Sequence, residues 1–420
     1  MLYTTMLLHA NILYAEFPFS SVPSMVGKSY VPVFKAILGN ERIKVILNLS
    51  GFTLEVLNGE HPDIYPGSGE CISLLKDLAS SGRVEFTGTS WAHAVLPSMP
   101  LFLVEEDINL HKWTVERILR TETKGFFPPE LGISPLLPGL LRKHGYSYCI
   151  VDKEFIGYTK AGNLNSSNDF EPVPESFMKR TAVVQRSGLV DQLKYLKTLN
   201  RKLVHETDFT HVEWLGAKFR EEGSNSITAV PCDTVWVTYA LGCFSEFAVM
   251  NTKALFKKIG KASKRYSGLF IPYSSDIEFY GHGGNTVKQP IPVERLQRFM
   301  EKLTERDDVT PVLPSEYLES SGIKKEAMYL KSGSWSSDKN FDLWDREEDN
   351  RQLNGLCAAT AEIFREKHGV GGYDHRAMEI LKNILLGYNS DGRGWTPHPE
   401  HRMFCFNRVL AARRFLGIDA

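Results

Sequence analysis

Long apolar runs are absent from this chain of 420 residues: no stretch approaches the roughly 20 consecutive apolar residues that a membrane-spanning helix needs. A membrane is therefore not expected among its partners. An excess of one charge is absent too. The 49 basic residues are offset by 50 acidic ones, for a net charge of −1. That balance argues against nucleic acid as an electrostatically captured partner. Cysteine is sparse and unpatterned. The six residues Cys71, Cys149, Cys232, Cys243, Cys357 and Cys405 show no Cys-x-x-Cys spacing, and Cys149 sits inside an apolar run, where a buried thiol belongs. A reducing compartment is the simpler expectation. The N-terminus has no basic n-region and no small-residue cleavage site, so no signal peptide is expected. The chain reads as a soluble cytoplasmic protein. No Gly-x-x-x-x-Gly-Lys-Ser/Thr loop is present, which argues against a nucleotide enzyme. No cofactor is expected.

What the sequence has is a recurring alternation. Short apolar, β-rich runs occur at Leu2–Leu8, Ile43–Leu49, Arg83–Thr87, Gly125–Phe127, Tyr146–Val151, Thr181–Gln185, Ile227–Val230 and Gly268–Pro272. Amphipathic segments separate them, including Cys71–Ser80, Val104–Arg120 and Leu136–His144. Strands alternating with helices imply parallel βαβ units, and almost wholly apolar strands imply a sheet covered on both faces. The expected fold class is α/β, a barrel of seven or eight strands. After about residue 310 the character changes: Thr310–Leu313 reads as a short strand or connector and Ser315–Ser320 as a helix. Helical patterns then follow at Asn350–Lys367, Asp374–Tyr388 and His401–Leu416. The division expected is a catalytic barrel over 1–310 and a helical subdomain over 311–420 packed on it.

A barrel keeps its chemistry at the C-terminal ends of its strands. Polar groups stand there in this sequence: His9, Asn48, Thr87, Glu130, Asp152, Arg186 and Asp276. Two of them share a form. Gly125-Phe126-Phe127-Pro128-Pro129-Glu130 and Leu269-Phe270-Ile271-Pro272-Tyr273-Ser274-Ser275-Asp276 are each an apolar strand, proline, then an acid. Two carboxyls facing each other at roughly 5–5.5 Å are what glycoside hydrolysis with retention requires. The plainer role for each is a helix cap or a surface acid. Asp233 is a rival to Asp276, because it too follows an apolar run.

At this point the chain resembles glycoside hydrolase family 57, in five short regions spread over nearly its whole length. They are Leu7–Tyr14 with His9; Gly82–Gly88 with Trp91, His93 and Leu96-Pro97; Gly125–Glu130 with Gly145–Asp152 downstream; Tyr273–His282; and Asn389–Trp395. The resemblance implies a seven-stranded (β/α) barrel, a (β/α)7 type, with a C-terminal helical subdomain. It implies Glu130 as nucleophile and Asp276 as acid/base of a retaining enzyme acting on α-linked glucans, an oligo- or polysaccharide substrate. Candidate substrate-binding residues are His9, Asn11, Glu85, His93, Glu278, His282, Trp335, Asp391 and Trp395. Asn11 stands where many members have a second histidine, and Gly283-Gly284 stands where they have two tryptophans. Glu85 alternates with Val84 and Phe86, and a buried ion pair suits it as well as a ligand contact.

A compact amylase-like hydrolase is favoured over a 4-α-glucanotransferase, a branching enzyme or an α-galactosidase. A metal-dependent polysaccharide deacetylase or mannosidase is the competitor of another class. Zinc chemistry wants clustered ligands with an open position, and the sequence offers none: His398 and His401 lie among prolines, so no metal is expected. A relative that binds carbohydrate without catalysis is the remaining alternative.

Overall fold

The N-terminal apolar run forms two short strands, β1 (Leu2–Thr4) and β2 (Met6–Ala10), and the other strands are arranged around them. The computed structural model describes residues 2–160, 212–216, 225–246, 251–284, 289–322, 326–336, 339–394 and 397–418. The other described strands are β3 (Val45–Leu49), β4 (Val84–Phe86), β5 (Gly125–Phe126), β6 (Tyr148–Asp152), β7 (Val212–Leu215), β8 (Ser226–Cys232), β9 (Gly268–Phe270), β10 (Ser274–Asp276), β11 (Val309–Pro311) and β12 (Ala327–Met328). β1 lies between β11 and β9, and β2 between β10 and β3, which continues to β4; every pair is parallel. A third sheet runs β12-β7-β8-β6-β5, parallel except for β7 with β8. A parallel bridge from Gly88 to Phe126 joins β4 to β5.

The strand positions therefore follow one another as β9/β10, β1/β2, β3, β4, β5, β6 and β8. This is an α/β fold of the barrel-like (β/α) kind, although among the described residues no ladder joins β8 back to β10. All five positions are buried in each of β2, β3 and β6, as expected when helices cover one face and strand-borne side chains fill the other. The expected strand Thr181–Gln185, with Arg186 at its tip, lies outside the described residues.

Pro272 explains why the expected strand Gly268–Pro272 stops early. Proline carries no N–H for the ladder, so pairing ends at Phe270 and resumes at Ser274, with Leu7 N donating to Tyr273 O at 2.9 Å between them. The resumed strand ends on Asp276.

Helices fill the crossovers. Gly51–Leu57 and Gly69–Ser80 follow β3, Leu101–Leu119 follows β4, and Leu137–Lys143 follows β5. Ser50 and Ser68 cap the first two by accepting from Thr53 N and Cys71 N, each a bond of about 1 kcal/mol. In Leu101–Leu119 the apolar period holds for Ile108, Leu110, Val115, Ile118 and Leu119, but Trp113 is 51% exposed. Its ring lies under the Arg117 guanidinium at 4.5 Å. Toward the C-terminus, Glu348–His368, His375–Gly387 and Pro399–Phe415 pack on one another. The six cysteines are free and buried. Among the described residues no helix is long and apolar enough to cross a membrane.

Candidate active site

Strand register alone lines up three polar residues at the C-terminal ends. Asp276 is opposite His9, and His9 is opposite Asn48. Hydrogen bonds extend the row: Asn48 Nδ2 donates to Thr87 Oγ1 at 2.9 Å, which leaves Asn48 Oδ1 to accept from His9 Nδ1 at 2.7 Å. The proton on Nδ1 makes Nε2 of His9 an acceptor. Burial, then the charge of nearby His93, pushes His9 down to about 3, so it stays neutral.

Glu130 reaches the same end through a strained turn. After β5, Phe127 N donates to Gly88 O at 2.8 Å, and two prolines fix the exit. Glu130 (φ 58°) and Leu131 (φ 47°) then adopt left-handed backbone, which costs on the order of 1–3 kcal/mol per residue. The turn is held from outside: Trp335 N donates to Glu130 O at 3.1 Å, and Ile133 pairs with Gly333. Gly125 at the head of the motif is required by packing, because a Cβ there would stand 2.0 Å from the Tyr148 ring.

The two acids share a cleft of about 240 Å³, whose walls include His9, Tyr14, Phe127, Trp335, Trp344 and Asp391. Both oxygens of Glu130 are engaged: Trp335 Nε1 donates to Oε2 at 2.5 Å and Ser390 Oγ to Oε1 at 2.9 Å. Burial raises its carboxyl, the positive charge of His93 and these two donors oppose that, and Asp391 adds to the rise. Asp276 is pushed up to about 7. Burial is the main cause; the Tyr14 hydroxyl, donating at 3.2 Å, opposes it, and the charges of Glu130 and Glu16 add to it.

Across the cleft, Asp391 receives Asn11 Nδ2 at 2.5 Å and Ala15 N at 3.2 Å and pairs with His93 Nδ1 at 3.2 Å. Burial works against both charges, yet the pairing holds Asp391 low and His93 high. The site thus keeps one neutral imidazole and one imidazolium, stacked at 4.9 Å. Among the described residues no cluster of three or more His, Cys, Asp or Glu is gathered to hold a metal.

Comparison with known proteins fits this arrangement. Residues 8–200 match the model of glycosyl hydrolase family 57. The N-terminal part of the chain is thus similar to that family. A family 57 branching enzyme from Thermococcus kodakaraensis superposes with a TM-score of 0.68 at 16% identity, covering 98% of this chain and 89% of that one. A 4-α-glucanotransferase from Thermococcus litoralis gives 0.64 at 16% identity, over 98% and 60%. An α-amylase from Thermotoga maritima gives 0.63 at 15% identity, over 99% and 92%. At these identities the likeness is one of fold. No curated protein sequence matches the chain.

Not every family 57 position expected at the site lies there. His9, Asn11, His93, Glu130, Asp276, Trp335 and Asp391 line the cleft. Glu85, Glu278 and His282 do not. Glu85 accepts from the Tyr148 hydroxyl and from Ser315 N and Oγ at 3.2 and 2.6 Å, beside a separate groove with Arg120 and Lys124. It sits two residues short of the strand-end row and is a hydrogen-bonded interior carboxyl. Glu278 is wholly buried behind Asn11, accepting its backbone N–H at 3.0 Å and the Tyr30 hydroxyl. Burial and the Asp276 charge push it up to about 8. The turn Ile277–Phe279 carries it inward with its two apolar neighbours. His282 packs edge-on to Phe17 at 4.6 Å.

Asp233 takes the plainer role: it caps the helix Thr234–Phe244 through Val235 N and Trp236 N and pairs with Lys153 at 2.9 Å. Trp395 lies outside the described residues. Sequence reasoning missed Tyr14, Ser390 and Lys339 as cleft residues. Ser390 sits inside a region that carries the family resemblance, so its position was visible although its bond to Glu130 was not. Lys339 lies on Asp152 and Glu154 at 2.6 and 2.9 Å, and no local pattern marks it.

Proposed function

We propose that this chain is a retaining glycoside hydrolase acting on α-linked glucans, with Glu130 as nucleophile and Asp276 as acid/base. The observation that carries this is a pair of buried carboxyls in one cleft with unequal environments. Glu130 accepts donors on both oxygens and faces an imidazolium, which favours its anion. Asp276, pushed up to about 7, keeps a proton to give. Glu130 attacks the anomeric carbon while Asp276 protonates the departing glycosidic oxygen. Once Glu130 is esterified its negative charge is gone. One cause of the raised Asp276 carboxyl goes with it, and Asp276 becomes the better base toward an incoming water or sugar hydroxyl. His9 Nε2 and Asp391 accept from sugar hydroxyls, and the faces of Trp335 and Trp344 bound the ring. Residues 1–310 are the catalytic unit and 311–420 a helical unit that completes the cleft.

The fold neighbours bear names of both transfer and hydrolysis, a branching enzyme, a glucanotransferase and an amylase. Both outcomes share the covalent intermediate and differ in the acceptor that reaches it. Incubation with maltooligosaccharides, starch and an α-galactoside separates them by product length. Shorter products are expected; longer ones mean transfer. Glu130→Ala and Asp276→Ala are each expected to lower kcat by at least about 10³-fold while sugar binding persists. Wild-type rates in both variants would sink the assignment.

A further inference from the structure

Ser390 stands between two groups of the site with the same separation on either side. Its Oγ is 2.9 Å from Glu130 Oε1 and 2.9 Å from His93 Nδ1. A hydroxyl has one proton to give and lone pairs to receive with. The ionised Glu130 oxygen can only accept, so the Ser390 proton points to it. The lone pairs then face His93, whose Nδ1–H is shared between Ser390 Oγ and Asp391 Oδ2 at 3.2 Å. The result is a directed chain from His93 through Ser390 to Glu130.

The backbone fixes this chain from both ends. Ser390 N donates to His93 O at 3.0 Å, Asn389 Nδ2 to Ala92 O at 2.7 Å, and Ala94 pairs with Asn389. On the far side Gly394 N donates to Ser390 O at 2.8 Å, and Arg393 Nη1 to Asn389 O at 3.0 Å. Segment 90–92 is held in turn by Asp107, which accepts from Trp91 N and Ala92 N at 3.1 and 3.2 Å. Ser390 is 1% exposed, so its hydroxyl has no solvent to turn to.

We propose that Ser390 is a positioning residue for Glu130: it couples the His93–Asp391 pair to the nucleophile, so the C-terminal helical region governs how that carboxylate is held. The charged groups facing Glu130 are His93, Asp391 and Asp276, with Glu16 beyond Asp276. Trp335 Nε1 is the neutral donor on its other oxygen. Ser390 touches no reacting atom in this scheme; it acts through Glu130 and rests on the reading of Glu130 as nucleophile. A donor to a carboxylate stabilises the anion, so removing it raises the Glu130 carboxyl. The acidic limb of activity then moves to higher pH.

The test is the Ser390→Ala variant, read two ways. Carbon-13 NMR of glutamate carboxyls, with Glu130 assigned from Glu130→Gln, is expected to show the Glu130 midpoint rising by about one pH unit. The acidic limb of kcat/KM is expected to move by the same amount with KM nearly unchanged. Ser390→Thr restores both. In a His93→Gln background the further shift from Ser390→Ala is much smaller, because the two belong to one chain. An unmoved Glu130 midpoint, or equal and additive shifts in the two backgrounds, would overturn the link. A moved midpoint in a protein whose wild type cleaves no α-glycoside would leave the link standing and remove the proposed function instead.

Discussion

At the scale of the residue, the site is a set of carboxyls differing in the donors each one finds. Among the described residues, Glu130 has two donors and a cation, Asp276 has one hydroxyl, and Glu278 has a backbone N–H and a phenol but no cation. Burial raises all three, and the partners decide how each is held. The shortest hydrogen bond to Glu130 is that of the Trp335 indole, at 2.5 Å. Trp335→Phe keeps most of the ring and removes the donor. A bond to a charged group contributes about 1.5–3 kcal/mol, so kcat/KM is expected to fall about 10- to 100-fold. Its acidic limb is expected to move to higher pH, because the anion has lost a donor. A pH–rate profile superimposable on wild type would show that Trp335 serves only as a wall. The bonds that the serine and the tyrosine make to the acids carry no local mark: Ser390 lies 260 positions from Glu130, and Tyr14 lies 262 from Asp276.

Elements bring these residues to one place, and most of them are legible in the chain. The runs chosen for apolar content correspond to β1 through β6, β8 and β9 within a few residues, apart from the one outside the described region. The reason is that strands covered on both faces are nearly all apolar. β7, β10 and β12 were not legible. β12 is a two-residue edge piece, β7 is a four-residue strand between β12 and β8, and β10 is Ser274–Asp276, polar residues that pair with β2. The glycine of the Gly-His pair is an element-level requirement as well. Gly281 has φ +80°, and a Cβ there would stand 1.9 Å from Lys28 O, whereas Gly27 has open space around it. Gly281→Ala is expected to cost about 2–4 kcal/mol and Gly27→Ala almost nothing. Urea unfolding of both variants checks this, and similar midpoints for the two would refute the strain argument.

Over the whole molecule, one buried carboxylate fastens the C-terminal helices to the barrel-like part. Glu55, on the helix after β3, is fully buried and receives Lys382 Nζ at 2.7 and 2.8 Å from the helix His375–Gly387. His61 Nε2 at 3.1 Å, Trp91 Nε1 at 3.3 Å, Thr114 Oγ1 at 3.4 Å and Arg117 Nη2 at 3.5 Å also donate to it. Burial raises the carboxyl, but His61 and Lys382 more than reverse that, and the net shift is downward. A depressed carboxyl contributes stability above its unfolded value, about 4.3, and loses it as pH falls through the folded value. Lys382→Met is therefore expected to destabilise the protein by about 3 kcal/mol at neutral pH. The difference from wild type should shrink below about pH 4. Denaturant midpoints at the two pH values decide it, and a pH-independent difference would mean Lys382 acts by packing alone. The same docking brings Asn389, Ser390 and Asp391 against segment 90–94, so the joint between the two parts is also the rear wall of the cleft. What the sequence by itself determined is the set of βαβ units, the polar groups at strand ends and the resemblance to family 57, because apolar period and turn residues are local properties. What only the tertiary structure decided is which of those polar groups meet. Glu85 and Glu278 carry the same local signature as residues of the cleft, yet Ser315 and Tyr30, 230 and 248 positions away, draw them elsewhere. A side chain's burial is written in its neighbours along the chain. Its hydrogen-bond partner depends on strand register and helix docking, which no local window contains.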